Sequence, residues 1–396
     1  MSRKMTPLGE LLQQYRFRAN MTLASLDSKV GVSKGSLSRI ETGETKKPDF
    51  KIVEAVAAVL NIPYAEYVSA YIEIEKKPDI LLGILETAVS SPQHAPIAPK
   101  IATKFLETEK EDSVELVAKL YSTTNLIEDT SIRISLYKSI VDYSRSHGIM
   151  PYIARGLFQT YMIERNDFSK LEVSYQSGKS ILAYVGFLST DEQLKLYYSL
   201  ANHAYGLMIY NESIEFSRIV IEIDIAKSQL SAHATFNICN CYYYLNDFET
   251  SKTYLVLYQN YSYSFVEDNV AFMTGCINGR MGEIDLGINQ LEQYVKNTSE
   301  FNLVYAVTML MDLYVCKADF DSARKLLQYV AEMKKSMNNK YTAPDKKARL
   351  AYFYQLAGHA LLPLDVEQAF DYYLDSAIEY MKIGLYDAAK KVLIPV

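Results

Sequence analysis

The sequence predicts an all-α protein, a small N-terminal helical domain followed by a long stack of paired helices. Three observations carry that prediction. Apolar residues recur at helical spacing along most of the 396 residues, with almost no strand-like alternation. The stretch from Met21 to Gly43 reads as two short helices joined by a tight turn. In the second half of the chain, a turn leading into a helix returns every 34 to 36 residues.

The N-terminal elements follow from their residues. Leu8, Leu11, Leu12 and Tyr15 form the apolar stripe of a first helix. Thr22 opens a second, with Leu23, Leu26 and Val30 at i, i+3 and i+7, and Gly31 breaks it. Ser33 caps a third, its hydroxyl placed to accept from a backbone N–H two or three residues on. Leu37 and Ile40 are the inward face of that helix. Ser33, Lys34, Gly35, Ser36, Ser38 and Arg39 are left outside, small, hydrogen-bonding or basic groups that suit base edges and phosphates. Gly43 ends the helix, and the solvated loop to Pro48 adds Lys46 and Lys47 to the basic set. Ile52, Val56, Val59 and Leu60 make a fourth helix, and Pro63 starts a fifth where its missing N–H costs nothing.

This five-helix segment resembles the XRE or lambda-repressor type of helix-turn-helix domain. The motif of that family is matched by Gly31-Val32-Ser33, Ser38-Arg39-Ile40-Glu41 and Gly43. The resemblance implies binding to a double-stranded DNA operator and an ion pair between Arg16 and Glu41. Leu23 and Asp27 depart from the Gln and Ala usual at their positions, which removes a familiar phosphate or base contact. The plainer alternative is a helix-turn-helix kept only for packing.

Charge supports the DNA reading. Residues 1–60 hold ten Lys or Arg and six Asp or Glu, a net of +4, so the rest of the chain carries −10 to reach the overall −6. A basic head on an acidic body confines nucleic-acid contact to the head. The start MSRKMTPLGE has no apolar signal core, and no apolar run approaches 18 residues, so a cytoplasmic protein without membrane association is expected. Cys239, Cys241, Cys276 and Cys316 fit reduced, packed thiols, and the C-x-C pair lacks a second pair or a nearby His pair at zinc spacing. His94, His147, His203, His233 and His359 are scattered. No metal, cofactor or catalytic constellation is expected.

From Tyr64 to Ala88 the helical pattern continues with a break at Pro78, and Ser90-Ser91-Pro92, Pro96 and Pro99 read as a hinge-like stretch. A helical run such as Glu111 to Tyr121 follows, and then the repeats. Asn-Glu-Ser-Ile214, Asn-Asp-Phe248, Gly-Glu-Ile284 and Ala-Asp-Phe320 each lead from a turn into a helix, their bulky residues 34, 36 and 36 positions apart. Three residues after each stands a small one, Ser217, Ser251, Gly287 or Ala323, which lets the second helix of a pair close on its neighbour. A period near 34 is the tetratricopeptide signature, so the expected fold is a tetratricopeptide-like α-solenoid, with an irregular helical bundle as the alternative. The expected boundaries are 1–70 for the DNA-binding domain, 71–100 for linker helix and hinge, 101–365 for the solenoid and 366–396 for C-terminal capping and dimerisation helices.

In such a solenoid the first helix of each pair lines the concave side. The repeat pattern places Asn202, Tyr210, His233, Asn240, Tyr244, Asn269, Arg280, Tyr305 and Asp312 on that lining. Asn offers a donor and an acceptor to a peptide backbone, and Tyr adds rigid contact area with a polar tip. The mixture suits a short extended peptide; packing between helices is the other reading, since the chain holds 33 Tyr.

The two parts together resemble the RRNPP group of bacterial quorum-sensing regulators, and within it the arbitrium receptors of temperate phages. The segment Asn237-Ile-Cys-Asn240-Cys-Tyr-Tyr-Tyr-Leu-Asn-Asp-Phe248 carries the local likeness. It implies that Asn240, and with it Asn237 and Asn202, holds a short signalling peptide. It further implies that Asp371 or Asp375 pairs with an arginine of that peptide, and that Gln229 stands where an arginine is expected. The resemblance also implies a homodimer on a paired operator, with lysis against lysogeny as the decision regulated in phage members. Two other readings remain, a regulator whose repeats only dimerise or dock a protein, and one that also acts on a response-regulator partner.

Overall fold

The computed structural model describes residues 8–109, 111–339 and 342–394, which contain helices and no strand. The chain divides into two compact units. The first runs to Ile163 and includes Tyr184–Phe187; the second comprises Glu164–Ala183 and everything from Leu188.

The first unit opens with five short helices, α1 (Leu8–Arg18), α2 (Leu23–Val30), α3 (Lys34–Glu41), α4 (Phe50–Leu60) and α5 (Tyr64–Tyr71). Their boundaries are those the capping residues dictate. Thr22 Oγ1 accepts from Ser25 N, Ser33 Oγ from Ser36 N, and Gly31 closes α2 at φ 71°. Gly9 is required where α1 crosses α3, because a Cβ there would meet the Ile40 carbonyl oxygen at 2.5 Å. The unit continues through α6 (Pro78–Val89), α7 (Ala98–Leu106), α8 (Ser113–Asn125), α9 (Thr130–His147) and α10 (Met150–Glu164). One apolar core runs from Leu8 to Ile149 without a break at residue 70. Segment 71–100 belongs to that core: Ile72, Leu81, Leu85 and Ala98 are buried, and the His94 ring stacks on Tyr64 at 3.7 Å. Pro78 does interrupt the helical run, standing in the first turn of α6.

In the second unit α11 (Leu171–Ser180) precedes the stacked pairs α12 (Thr190–Gly206) with α13 (Tyr210–Ile223), α14 (Gln229–Tyr244) with α15 (Phe248–Tyr258), and α16 (Val266–Arg280) with α17 (Ile284–Val295). Then come α18 (Leu303–Cys316), α19 (Phe320–Lys325), α20 (Val330–Ser336), α21 (Pro344–Leu361), α22 (Val366–Lys382) and α23 (Tyr386–Leu393). The same turn recurs five times. Met208, Asn246, Gly282, Ala318 and Gly384 all have positive φ, and each stands two residues before a helix start. The next residue sends its N–H five residues back, as in Asp247 to Tyr242 O at 2.9 Å and Asp319 to Tyr314 O at 2.9 Å. This is the Schellman arrangement, which satisfies the last carbonyls of one helix while aiming the next.

The turns give a register that corrects one sequence anchor. The second helix of the first pair starts at Tyr210, not beside Ile214, so successive second-helix starts lie 38, 36 and 36 residues apart (210, 248, 284, 320). Ser213 and Ser217, one helical turn apart, are both fully buried, so either serves as the small residue of the pattern. Small residues do close the stack. A Cβ on Gly287 would lie 2.7 Å from the Gly279 Cα, and Ser251 and Ala323 are fully buried.

Candidate functional site

The first candidate surface lies on α3. Leu37 and Ile40 are buried beneath it, while Ser33, Lys34, Gly35 and Arg39 are exposed and Ser36 and Ser38 half-buried. The Ser33 hydroxyl is engaged as the cap. Lys34, Arg39 and Lys46 form no ion pair among the described residues, whereas the Lys47 ammonium lies 3.5 Å from Glu75. The helix is fixed from behind by Arg16, whose Nε and Nη2 each donate to Glu41 at 2.7 Å and whose Nη1 donates to the Met21 carbonyl at 2.9 Å. That fork ties α1, the turn before α2, and the end of α3 together in a nearly dry site. The two departures from the motif also have structural consequences. Leu23 packs against the core, and the Asp27 carboxylate accepts from the Lys34 N–H at 3.0 Å, capping α3. The surface can meet the phosphates and base edges of a duplex with an unneutralised basic face.

The second candidate lies on the inner helices of the repeat unit. With the turn register, Asn202, Asn240, Cys276 and Asp312 occupy one equivalent position, eight residues before each second helix, and their exposure falls along the stack. Asn202 is exposed, Asn240 half-buried, Cys276 and Asp312 buried. The cause is α21, which lies along α18: Tyr352 donates to Asp312 at 2.6 Å and Tyr305 to Asp345 at 2.7 Å. Arg280 completes the layer with a 3.0 Å ion pair to Asp312. What stays open is a cavity of about 190 Å³ whose walls include Tyr210, Tyr244, Arg280, Asp312, Arg349 and Tyr352. Tyr210 stacks on Tyr244 at 5.5 Å, and the Arg349 guanidinium sits 4.3 Å over the Tyr244 ring.

Residues 7–67 match the helix-turn-helix domain family. The chain carries a helix-turn-helix domain. Over 75 residues it is 31% identical to an uncharacterized HTH-type transcriptional regulator, RghRB of Bacillus subtilis (strain 168), covering 19% of this chain and 54% of that protein. It therefore spans about half the length of that relative. Among solved structures it is similar to a Rap protein complexed with competence and sporulation factor, at 13% identity and TM-score 0.42, covering 81% of this chain and 96% of that one. It is also similar to selenomethionine phAimR, at 13% identity and TM-score 0.41, covering 98% and 96%.

On the helix-turn-helix domain Lys34, Gly35 and Arg39 are exposed along α3, the Ser33 hydroxyl serves as its cap, and Lys47 lies by Glu75. On the inner helices the outcome divides. Tyr210, Tyr244, Arg280 and Asp312 do meet around one cavity, although Tyr210 reaches it from the start of α13 and not from an inner helix. Asn202 and Asn240 keep side-chain amides that form no hydrogen bond among the described residues. Asn237 points the other way: it is buried, donating to Ser213 at 2.8 Å and Ser217 at 3.2 Å, so it bonds the pair α13 and α14 instead of facing a ligand. Asn269 donates to Tyr258 at 2.8 Å, and His233 stacks on Phe265 at 4.5 Å with Gln229 3.2 Å away. Asp371 and Asp375 are exposed on α22, away from the cavity lining, Asp375 lying 4.0 Å from Lys334. Arg349, Tyr352 and Asp345 were not legible as site residues, because α21 carries no copy of the repeat turn at its start. Three cysteines are buried and Cys316 is exposed. Among the described residues no group of His, Cys, Asp or Glu could hold a metal, and no helix is long and apolar enough to cross a membrane.

Burial pushes the Asp345 carboxyl up to about 6, against the opposing pull of the Tyr305 hydroxyl and Arg349. Because the folded chain holds this proton more tightly than the unfolded one, stability falls as pH rises from about 4 to about 6 and is not regained above. Asp345→Asn removes that ionisation cost. Relative to the parent, the variant is expected to gain roughly 2 to 3 kcal/mol between pH 4 and pH 8 in denaturant titrations. A difference that does not change with pH would refute this assignment.

Proposed function

We propose that this chain is a dimeric transcriptional regulator whose operator binding is switched by a short peptide held on the inner helices of its repeats. The helix-turn-helix domain supplies the DNA contact. One observation carries the peptide reading: Asn202 and Asn240 occupy the same position in consecutive repeats, and both keep side-chain amides that form no hydrogen bond among the described residues. Two carboxamides at one repeat spacing can each bracket a backbone amide of an extended peptide. A peptide favouring one arrangement of the repeats changes the spacing of two DNA-binding domains, and a paired operator is read only at a fixed spacing. The sequence resemblance points to a quorum-sensing or lysis-lysogeny decision as the one regulated.

The dimer has its own support. Val366, Phe370, Leu374, Ile378 and Met381 form an apolar stripe along α22, each at least 43% exposed. A stripe of this kind on a surface helix marks an interaction face, and a second copy of α22 offers the complementary stripe.

Mobility shifts with the upstream DNA, with and without synthetic peptides encoded by short reading frames beside the gene, test the reading. Arg39→Ala is expected to weaken operator binding by ~1–3 kcal/mol per half-site while leaving peptide affinity unchanged. Asn240→Ala is expected to leave the shift intact and weaken the peptide by ~1–3 kcal/mol in calorimetric titration. Loss of both activities in either folded variant would contradict the division of labour. The filled layer of Arg280, Asp312, Tyr305 and Asp345 favours a second reading, in which the repeats serve only for dimerisation or protein docking. No heat and no change in Tm with any of these peptides selects that one.

A further inference from the structure

The charged groups around the inner-face cavity are partnered, with one exception. Asp312 receives Arg280 and the Tyr352 hydroxyl, and Asp345 receives the Tyr305 hydroxyl. Arg349, one turn beyond Asp345 on α21, forms no ion pair and no side-chain hydrogen bond among the described residues; its guanidinium rests on the face of Tyr244. Since Arg280 and Asp312 neutralise each other, Arg349 is the charge left over among the residues lining the cavity, and the Asp345 carboxyl, outside that lining, feels it only through space. Tyr210, Tyr243, Tyr244 and Phe248 make the remaining wall largely aromatic. A half-buried guanidinium that acts on Asp345 only through space and donates to no carboxylate keeps unfilled hydrogen-bonding capacity in surroundings of low dielectric, where an entering carboxylate gains most. The planar fork of Arg matches the two oxygens of a carboxylate, and its ring contact holds the plane in place.

We infer that this cavity is an anion subsite in which Arg349 holds a carboxylate of the bound peptide, most simply its terminal α-carboxylate. Size sets the choice of terminus. About 190 Å³ falls short of the ~300 Å³ at which pockets for whole small molecules begin, so the cavity admits one end residue and not a complete oligopeptide. The rest of the peptide then extends along the inner helices toward Asn240 and Asn202. The inference rests on the peptide reading above.

The test uses the full chain and two random hexapeptide libraries, one with free C-terminal acids and one with C-terminal amides, retained on the protein and read by mass spectrometry. The parent is expected to favour free acids by roughly tenfold or more. In Arg349→Gln that preference falls to parity. Arg349→Lys keeps the charge without the fork and retains an intermediate preference, and it carries the comparison if the glutamine variant does not melt cooperatively. Enrichment of internal Asp or Glu in the amide library, lost in Arg349→Gln, supports the subsite with a side-chain carboxylate as its occupant. Equal retention of both libraries by the parent overturns the subsite and leaves the peptide reading standing. Retention of neither library overturns both.

Discussion

Arg16→Ala is expected to cost ~3–5 kcal/mol and to unfold the helix-turn-helix domain first. The side chains of Arg16 and Glu41 are only 7% and 5% exposed, so removing the guanidinium leaves a carboxylate inside the fold with neither water nor a cation. It also frees the Met21 carbonyl, which Arg16 holds at 2.9 Å. An exposed ion pair would cost less than ~1 kcal/mol, so the size of the effect discriminates between the two environments. Denaturant melts of the single variants and of Arg16→Met with Glu41→Leu make the measurement. The double variant should recover most of the loss, since two apolar groups of similar volume leave no charge uncompensated. A single-variant cost below ~1 kcal/mol would show that the pair is not structural.

Phe370→Glu combined with Leu374→Glu should convert the protein to a monomer and lower affinity for a paired operator by about 10²–10⁴-fold. That range is the gain two linked sites make over one. Both side chains are about half exposed, at 55% and 49%, so the substitution removes no core contact and the melting temperature should change little. Two carboxylates set within the apolar stripe of α22 would face their counterparts across a two-fold interface, where like charges repel and desolvation is not repaid. Sedimentation velocity reports the mass, and a mobility shift on single and paired half-sites reports the affinity. Unaltered mass at micromolar concentration would place the interface elsewhere. Peptide titration of the same variant adds a check, because every residue of the inner-face cavity lies outside α22.

Much of this architecture is legible in local sequence. The caps at Thr22 and Ser33 act over three residues, and Asn-Asp-Phe248, Gly-Glu-Ile284 and Ala-Asp-Phe320 mark turns that the fold repeats with one backbone geometry. The first repeat misled for a physical reason. Met208 at positive φ is followed by Ile209, where Asn246, Gly282 and Ala318 are followed by Asp247, Glu283 and Asp319, so its turn lacks their acidic signal, and Ser213 and Ser217 both satisfy the small-residue position. Asn237 misled differently: an Asn on an inner helix reads the same whether it faces a groove or two serines of the helix behind it.

Sequence by itself determined the helix-turn-helix domain, the repeat period and the placement of Asn202 and Asn240, because each follows from helix periodicity, capping or a short motif, and the family resemblance supplied the Arg16–Glu41 pairing. Tertiary structure alone decided that α21 lies along α18, so that Arg280 and Tyr352 donate to Asp312 and Tyr305 donates to Asp345, in bonds spanning 32 to 40 residues, while the Arg349 side chain forms no ion pair and no hydrogen bond among the described residues. Such pairings depend on which helix faces meet at distances that carry no period, and only the packed chain fixes them.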